Sequence, residues 1–426
     1  MKKLIITLFS IAVAVTSTCA QQADMLVGRL INSGDWFELE RAYPNIKDDV
    51  RVPILKQMAE VLLAANFNRT DELREKLPPL IAEHQAELGF EGVCNMVIMG
   101  ATIEGFNGNY AVAADMIKNI ADAVKSAGGT LQGSGIEELL AYYDAMRDLP
   151  APALYKPDTD IVIPFSDKSD TLIYIPATIN GKAYDFILDT GASTSLISLD
   201  IAHEIGAKII DDAMYVGGAT GGGNLQRAFI EEIQLGPLTY QNVVTFVDNS
   251  PTPTEVSLTV DAILGMDFIK RLGEIQIDME NRRLIVPAME TTLPEHGRNI
   301  LLDQNILVVE GVDNPGNRMT FALDTGNNGA DLSDLWFSKN NDTVGGLHVE
   351  TQNSWGHGGT LSREIVRVPE FTLTIGNTPI TLNSVAAHVP TESIATSPRD
   401  GSLGMGLLKR CEKLIINLNE MFVVVE

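Results

Sequence analysis

The chain has 426 residues, 45% hydrophobic and 20% charged, the balance of a globular protein with apolar side chains enough for more than one core. Asp and Glu total 56 against 31 Lys and Arg, a formal net charge of −25, and no long basic run interrupts the excess. A surface of that sign repels phosphate backbones, so nucleic-acid binding is excluded as the leading function.

Residues 1–20 read as an export signal. Lys2 and Lys3 form a basic start, Leu4 to Val15 a short apolar stretch, and Thr18-Cys19-Ala20 a cleavage site of small residues. The expected destination is the periplasm, the cell surface or the medium. Lipid attachment at Cys19 is the competing export route, but Thr16-Ser17-Thr18 lacks the Leu and the small apolar residue that such a site carries. No later segment reaches about eighteen uninterrupted apolar residues, so no membrane span is expected. Cys94 and Cys411 remain after the signal, too few for a disulfide framework in a chain of this length, and both are expected free, buried and inert.

Residues 21–150 predict a helical domain. Apolar positions recur at helical spacing in Met25-Leu26-Leu30-Ile31 and Leu55-Met58-Ala59-Leu62-Leu63. Turn chemistry at Ser33-Gly34, Asn66-Phe67-Asn68 and Asn107-Gly108-Asn109 is each time followed by a similar helix start: GDWFELERAY, NRTDELREKL and GNYAVAADMI. Spacings of 34 and 40 residues suit helical-hairpin repeats. The region resembles a tetratricopeptide-like solenoid with most consensus residues missing; an irregular helical bundle fits equally. Such a domain could hold a protein partner. Prolines at 150, 152 and 157 then predict a linker over 151–160.

From there the texture is short alternating strands and turns, written twice: one β lobe over 161–290 and a second over 291–426. FILDTGAS at 186–193 matches FALDTGNN at 321–328, an offset of 135. LGMDFIKRLGEIQIDMENRRLIV at 264–286 matches LGMGLLKRCEKLIINLNEMFVVV at 403–425, an offset of 139, which sets Cys411 opposite Leu272. GGATGG at 217–222 falls opposite SWGHGG at 354–359, an offset of 137.

The repeated Asp-Thr-Gly carries the chemistry. Each copy follows an apolar strand that would bring a carboxylate to its end, with a hydroxyl in the turn and a glycine where a side chain would obstruct. Two-fold copies would set Asp189 and Asp324 face to face. Two adjacent carboxyls cannot both ionise cheaply, so one keeps its proton and the other stays charged. The charged one can take a proton from water while the other donates to a carbonyl oxygen, which is amide hydrolysis without metal, cofactor or covalent nucleophile.

DTGAS and DTGNN, followed by Ile263-Leu264-Gly265 and by Leu403-Gly404 after Ser402, resemble the two halves of an aspartic protease, closest to the retropepsin-like enzymes, duplicated in one chain. The resemblance covers about residues 160–426. It says nothing of residues 21–155 and implies an all-β bilobal acid-protease double-ψ barrel; with the all-α, helical-repeat-like N-terminal domain read above, the expected whole is a multidomain α+β protein. It implies that Asp189 and Asp324 are catalytic, with Gly191 and Gly326 in their turns. It also implies that Thr190 and Thr325 lock the two loops together and that the Ile-Leu-Gly type segments brace them. Gly-rich flaps at 215–223 and 353–360, including Gly217, Gly218, Trp355 and Gly356, would close over substrate. Ser193 would hydrogen-bond the outer oxygen of Asp189, and the bulkier Asn328 would do so for Asp324. Ser402 departs from the apolar residue expected there.

The six histidines (His84, His203, His296, His348, His357, His388) show no metal-ligand spacing, and Gly221-Gly222-Gly223 lacks the Lys-Ser or Lys-Thr of a phosphate loop. Trp355 fits equally over a cleft or beneath its hairpin. The expected function is that of an exported, monomeric aspartic endopeptidase acting on peptide or protein. The alternatives are an inactive peptide-binding scaffold and a helical interaction module with an idle protease attached.

Overall fold

The computed structural model describes residues 19–132, 134–210, 214–218, 221–248, 261–356, 359–391 and 396–426. Most of the expected export signal, the turn of the first flap at 219–220 and His357 lie outside the described residues. The chain forms two compact units that divide between Ala151 and Pro152.

The N-terminal unit is helical. Its described helices are Cys19–Ser33, Trp36–Ile46, Pro53–Asn66, Thr70–Glu83, Gln85–Phe106, Tyr110–Ser126 and Ile136–Asp144. The three turn motifs of the sequence close three successive helix pairs, and they do so in one way. Gly34, Asn68 and Gly108 adopt left-handed φ values of 68°, 56° and 86°. The next amide in each turn then reaches back to cap the preceding helix: Asp35 N–H to Leu30 O (3.1 Å), Arg69 N–H to Ala64 O (2.9 Å), Asn109 N–H to Glu104 O (2.9 Å). Leu39, Leu62, Leu80, Ala113 and Ile117 are buried between the helices. Glu104 is buried too, and its charge is met by Arg74 Nε at 2.6 Å and Asn109 Nδ2 at 2.6 Å. Among the described residues no helix is long and apolar enough to cross a membrane.

The second unit is a β structure whose two halves repeat element by element. Strands Lys182–Leu188, Leu196–Ser198, Met214–Gly218, Gly221–Leu235, Leu238–Asp248 and Ala262–Leu264 recur as Arg318–Leu323, Ala330–Leu332, Val349–Gly356, Gly359–Ile375, Thr378–His388 and Gly401–Leu403. Each half closes with a one-turn helix, Met266–Ile269 or Met405–Leu408. The central pairings are also the same. Leu264 lies in parallel register with Leu188, and Leu403 with Leu323, so in both halves the strand entering the Asp-Thr-Gly loop is clamped by the bracing strand. Both faces of these strands are covered, which suits their unbroken apolar runs FIL and FAL.

A third sheet belongs to both halves. Its order is Ile161–Pro164, Arg283–Val286, Glu274–Asp278, Lys413–Asn417, Phe422–Val425, with Ile275 opposite Ile416 and Ile277 opposite Leu414. Buried Glu274 accepts from Asn417 Nδ2 (2.9 Å) and from the Thr291 amide (2.7 Å), which satisfies its carboxylate across the seam.

The segment 151–160 is not the free linker its prolines suggest. Ala153–Tyr155 pairs antiparallel with Thr239–Gln241, because the exposed edge of the long strand Leu238–Asp248 offers unpaired backbone groups. Cys94 and Cys411 are free, as expected, but only half-buried; the crowding around Cys411 still raises its thiol to about 11.

Candidate active site

Each Asp-Thr-Gly turn is built from its own backbone and locked by the other. The Gly191 and Ala192 amides donate to Asp189 Oδ1 at 2.8 and 3.1 Å, and the Gly326 amide donates to Asp324 Oδ1 at 3.0 Å. Thr190 Oγ1 donates to Leu323 O at 2.6 Å and accepts from the Thr325 amide at 3.0 Å. Reciprocally, Thr325 Oγ1 donates to Leu188 O at 2.5 Å and accepts from the Thr190 amide at 3.0 Å. Both threonines are fully buried, so these bonds are shielded from water and each hydroxyl uses its donor and an acceptor site.

The glycines explain why the motif tolerates no larger residue. A Cβ on Gly191 would stand 2.3 Å from Asp324 Cγ, and a Cβ on Gly326 would stand 2.4 Å from Asp189 Cγ. Each carboxyl therefore rests on the backbone of the opposite turn, and the two carboxyls share a hydrogen bond. Protein encloses them on most sides, while part of each residue stays open to solvent. Burial raises the pKa of both. Asp324 is raised further, well above the usual carboxylate range, by burial and then by the Asp189 and Asp331 charges. Asp189 is partly relieved by its amide donors. The two carboxyls therefore titrate as a pair, one keeping its proton while the other carries the charge.

Beyond the turns the halves differ. In the first, Asp267 on the one-turn helix accepts from the Ser195 amide and hydroxyl, both at 2.8 Å, and the Gly265 amide donates to Ser195 Oγ at 3.1 Å. In the second, Ala330 and Gly406 stand in those two places, so close that a Cβ on Gly406 would lie 2.9 Å from the Ala330 nitrogen. The bracing there moves to Asn327. Its Nδ2 donates to Asp331 Oδ2 at 3.0 Å and Ser402 Oγ at 3.1 Å, and its Oδ1 accepts from the Gly329 amide at 2.9 Å. His388 Nε2 lies 3.9 Å from Asp331 Oδ1, and Arg363 Nη1 lies 3.2 Å from His388 Nδ1.

The expected support from Ser193 and Asn328 is not what holds the carboxylates. Among the described residues neither side chain hydrogen-bonds to Asp189 or Asp324. The Ala192 amide serves Asp189 instead, Ser193 offers its carbonyl to Asn305 Nδ2 (2.8 Å), and Asn328 is exposed. Ser402 is no gap in the brace, since it bonds to Asn327.

The Gly-rich stretches form hairpins. Gly217 pairs with Gly222 and Gly218 with Gly221; Trp355 pairs with Thr360 and Gly356 with Gly359. Gly217 and Gly218 are exposed and Trp355 is half-buried.

Residues 175–271 match the family described as "gag-polyprotein putative aspartyl protease". An uncharacterized protein in the cobV 5′ region of Sinorhizobium sp is 29% identical over 110 residues, 25% of this chain and 45% of that protein. DNA damage-inducible protein 1 of Phaeosphaeria nodorum is 28% identical over 122 residues, 28% of this chain and 26% of that protein. The same-named protein of Cryptococcus neoformans is 26% identical over 165 residues, 38% and 34% of the two chains. This chain thus spans less than half the length of the curated relatives it matches. A crystal structure of a retropepsin-like aspartic protease from Rickettsia conorii aligns with 20% identity and a TM-score of 0.22, covering 32% of this chain and 91% of that one. The β unit resembles the retropepsin-like aspartic proteases, and the family match falls on the first of its two halves.

Proposed function

We propose that the β unit is an aspartic endopeptidase whose two Asp-Thr-Gly turns form one active site within a single chain. The observation that carries this reading is the reciprocal seating of Asp189 on Gly326 and Asp324 on Gly191, with a hydrogen bond between the carboxyls. A water held between the carboxyls loses a proton to Asp189 as its oxygen bonds to the scissile carbonyl carbon, and Asp324 gives its proton to the carbonyl oxygen. The carbon–nitrogen bond then breaks: the leaving nitrogen takes the proton held on Asp189, and one hydroxyl of the diol returns its proton to Asp324, which leaves a free carboxyl, a free amine and the starting pair. The peptide is held extended, its main chain pairing with the two hairpins.

Turnover of an unfolded protein by the purified chain, abolished in Asp189→Asn and in Asp324→Asn, tests the reading. Retention of more than about a tenth of kcat in either variant, a barrier change below ~1.4 kcal/mol, overturns it. Specific activity unchanged on dilution tests the single-chain assembly. On this reading the enzyme is exported, in keeping with the basic and apolar pattern of its first twenty residues, and the stacked helix pairs serve as a tetratricopeptide-like scaffold for a protein partner. Capture of one protein by full-length chain, lost when surface residues of the helical unit are changed, tests the scaffold.

A further inference from the structure

The wall next to each catalytic turn has opposite chemistry in the two halves, at places the strand register makes equivalent. In the first half Leu196 lies opposite Ile263 on one side and Phe246 on the other. These three, with Leu225 and with Val216 of the hairpin, form one apolar cluster spanning from the turn to the hairpin. In the second half the same three places hold Asp331, Ser402 and Ala386. Here too the cluster spans turn to hairpin. Asn327, next after the Asp-Thr-Gly, grips Asp331 and Ser402, and Arg363, on the hairpin opposite Gln352, reaches His388.

An extended peptide lying between the carboxyls and the hairpins must set side chains against both walls, because alternate side chains of a strand point to opposite sides. The first wall offers only methyl groups and rings. The second offers a carboxylate, a hydroxyl and a guanidinium, with 24% of the Asp331 side chain and 17% of the His388 side chain open to solvent. Asp331 and Arg363 flank His388, and Asp334, which also acts on that histidine, is met by the Ser397 amide; a charged guest would be repelled by one of the first two, whereas a carboxamide can donate to Asp331 and accept from Arg363. Resting on the endopeptidase reading, we propose that the enzyme selects peptides with a bulky apolar side chain on one side of the scissile bond and a carboxamide side chain, Gln or Asn, on the other. Asp331 and Ser402 read the carboxamide. A wall built to hydrogen-bond its guest rejects the apolar analogue far more strongly than an apolar wall rejects a missing methylene.

The experiment compares kcat/KM for soluble peptides that differ only in Gln, Leu or Lys at single flanking positions. Substrates for wild type are compared with those for Asp331→Leu/Ser402→Ile, which copies the first wall into the second half. Wild type is expected to favour Gln over Leu and Lys by at least tenfold at one position, and Leu over Gln at a position across the scissile bond. The double variant is expected to reverse the first preference and keep the second. In case that variant fails to fold, Leu196→Asp/Ile263→Ser is expected to shift the apolar position toward Gln. Preference for Leu at both positions, for Lys at the second, or no change in either variant overturns the proposal. Affinities of uncleavable peptides, with a hydroxyl in place of the scissile carbonyl, give the same comparison without turnover. If wild type cleaves nothing yet these peptides bind with the expected Gln and Leu pattern, the endopeptidase reading fails and the selectivity stands.

Discussion

The two halves of the β unit carry the same Asp-Thr-Gly turn on different supports. In the first, a buried carboxylate on the closing helix, Asp267, holds the loop through Ser195. In the second, the helix carries only Gly406 there, the backbones close up, and the polar work passes to Asn327, Asp331 and Ser402. Duplication has kept what the chemistry fixes, namely Asp, Thr and Gly and the strand register beneath them. It has let the bracing vary, because a loop can be held by any set of satisfied hydrogen bonds.

Four experiments press on that comparison. The sharpest is the dyad: Asp189→Asn and Asp324→Asn should each cut kcat by on the order of 10³ or more, since neither half can supply both acid and base. Activity kept in one variant alone would mean that the two halves do not act as a pair at the turn. Next, Gly191→Ala and Gly326→Ala should abolish turnover alike and lower stability by about 1–3 kcal/mol through overpacking against the opposite carboxyl, measured by urea unfolding. Bracing should then separate the halves. Asp267→Ala strands the Ser195 amide and hydroxyl in a buried place and should cost about 1–3 kcal/mol. Asp331→Ala, at a partly open site where Asn327 keeps its bond to Ser402, should cost less than about 1 kcal/mol. Equal costs would show that the supports do not differ in kind.

The smallest effect concerns pH. The rate should follow a bell bounded by the two apparent pKa values of the pair, with an acidic optimum. The Asp331 charge disfavours ionisation of Asp324 and so raises its pKa. Asp331→Asn removes that charge, lowers the upper pKa and moves the alkaline limb to lower pH. Asp267→Asn should move the limb less, because Asp267 is not among the main groups that shift either member of the pair. A kcat/KM profile for each variant decides it.

Much of this was legible in the residues. Two copies of Asp-Thr-Gly at matching places fixed the dyad, and the Gly-rich stretches fixed both hairpins. Gly34, Asn68 and Gly108 marked helix-pair turns because few other residues tolerate a left-handed φ. What stayed hidden was pairing between distant strands. Asn327, Asp331, Arg363, Ser402 and His388 are scattered over 327–402 and meet only through the register of the sheet. Aligning Ser193 with Asn328 suggested equivalent support for the carboxylates. The neighbouring pair Ala192 and Asn327 is what differs in consequence, one serving through its amide and the other through its side chain.

The sheet shared by the two halves also sets a timetable for synthesis. Glu274 meets Asn417 across 143 residues, and Thr190 meets Thr325 across 135. Contacts that far apart in the chain close late, after local helices and hairpins have formed. The strand Lys413–Asn417 follows Glu274–Asp278 by more than a hundred residues, so the first half can be built early while its central partner arrives later. A nascent chain therefore carries one carboxyl before its mate, and the pair of turns comes together only once the second half has been made.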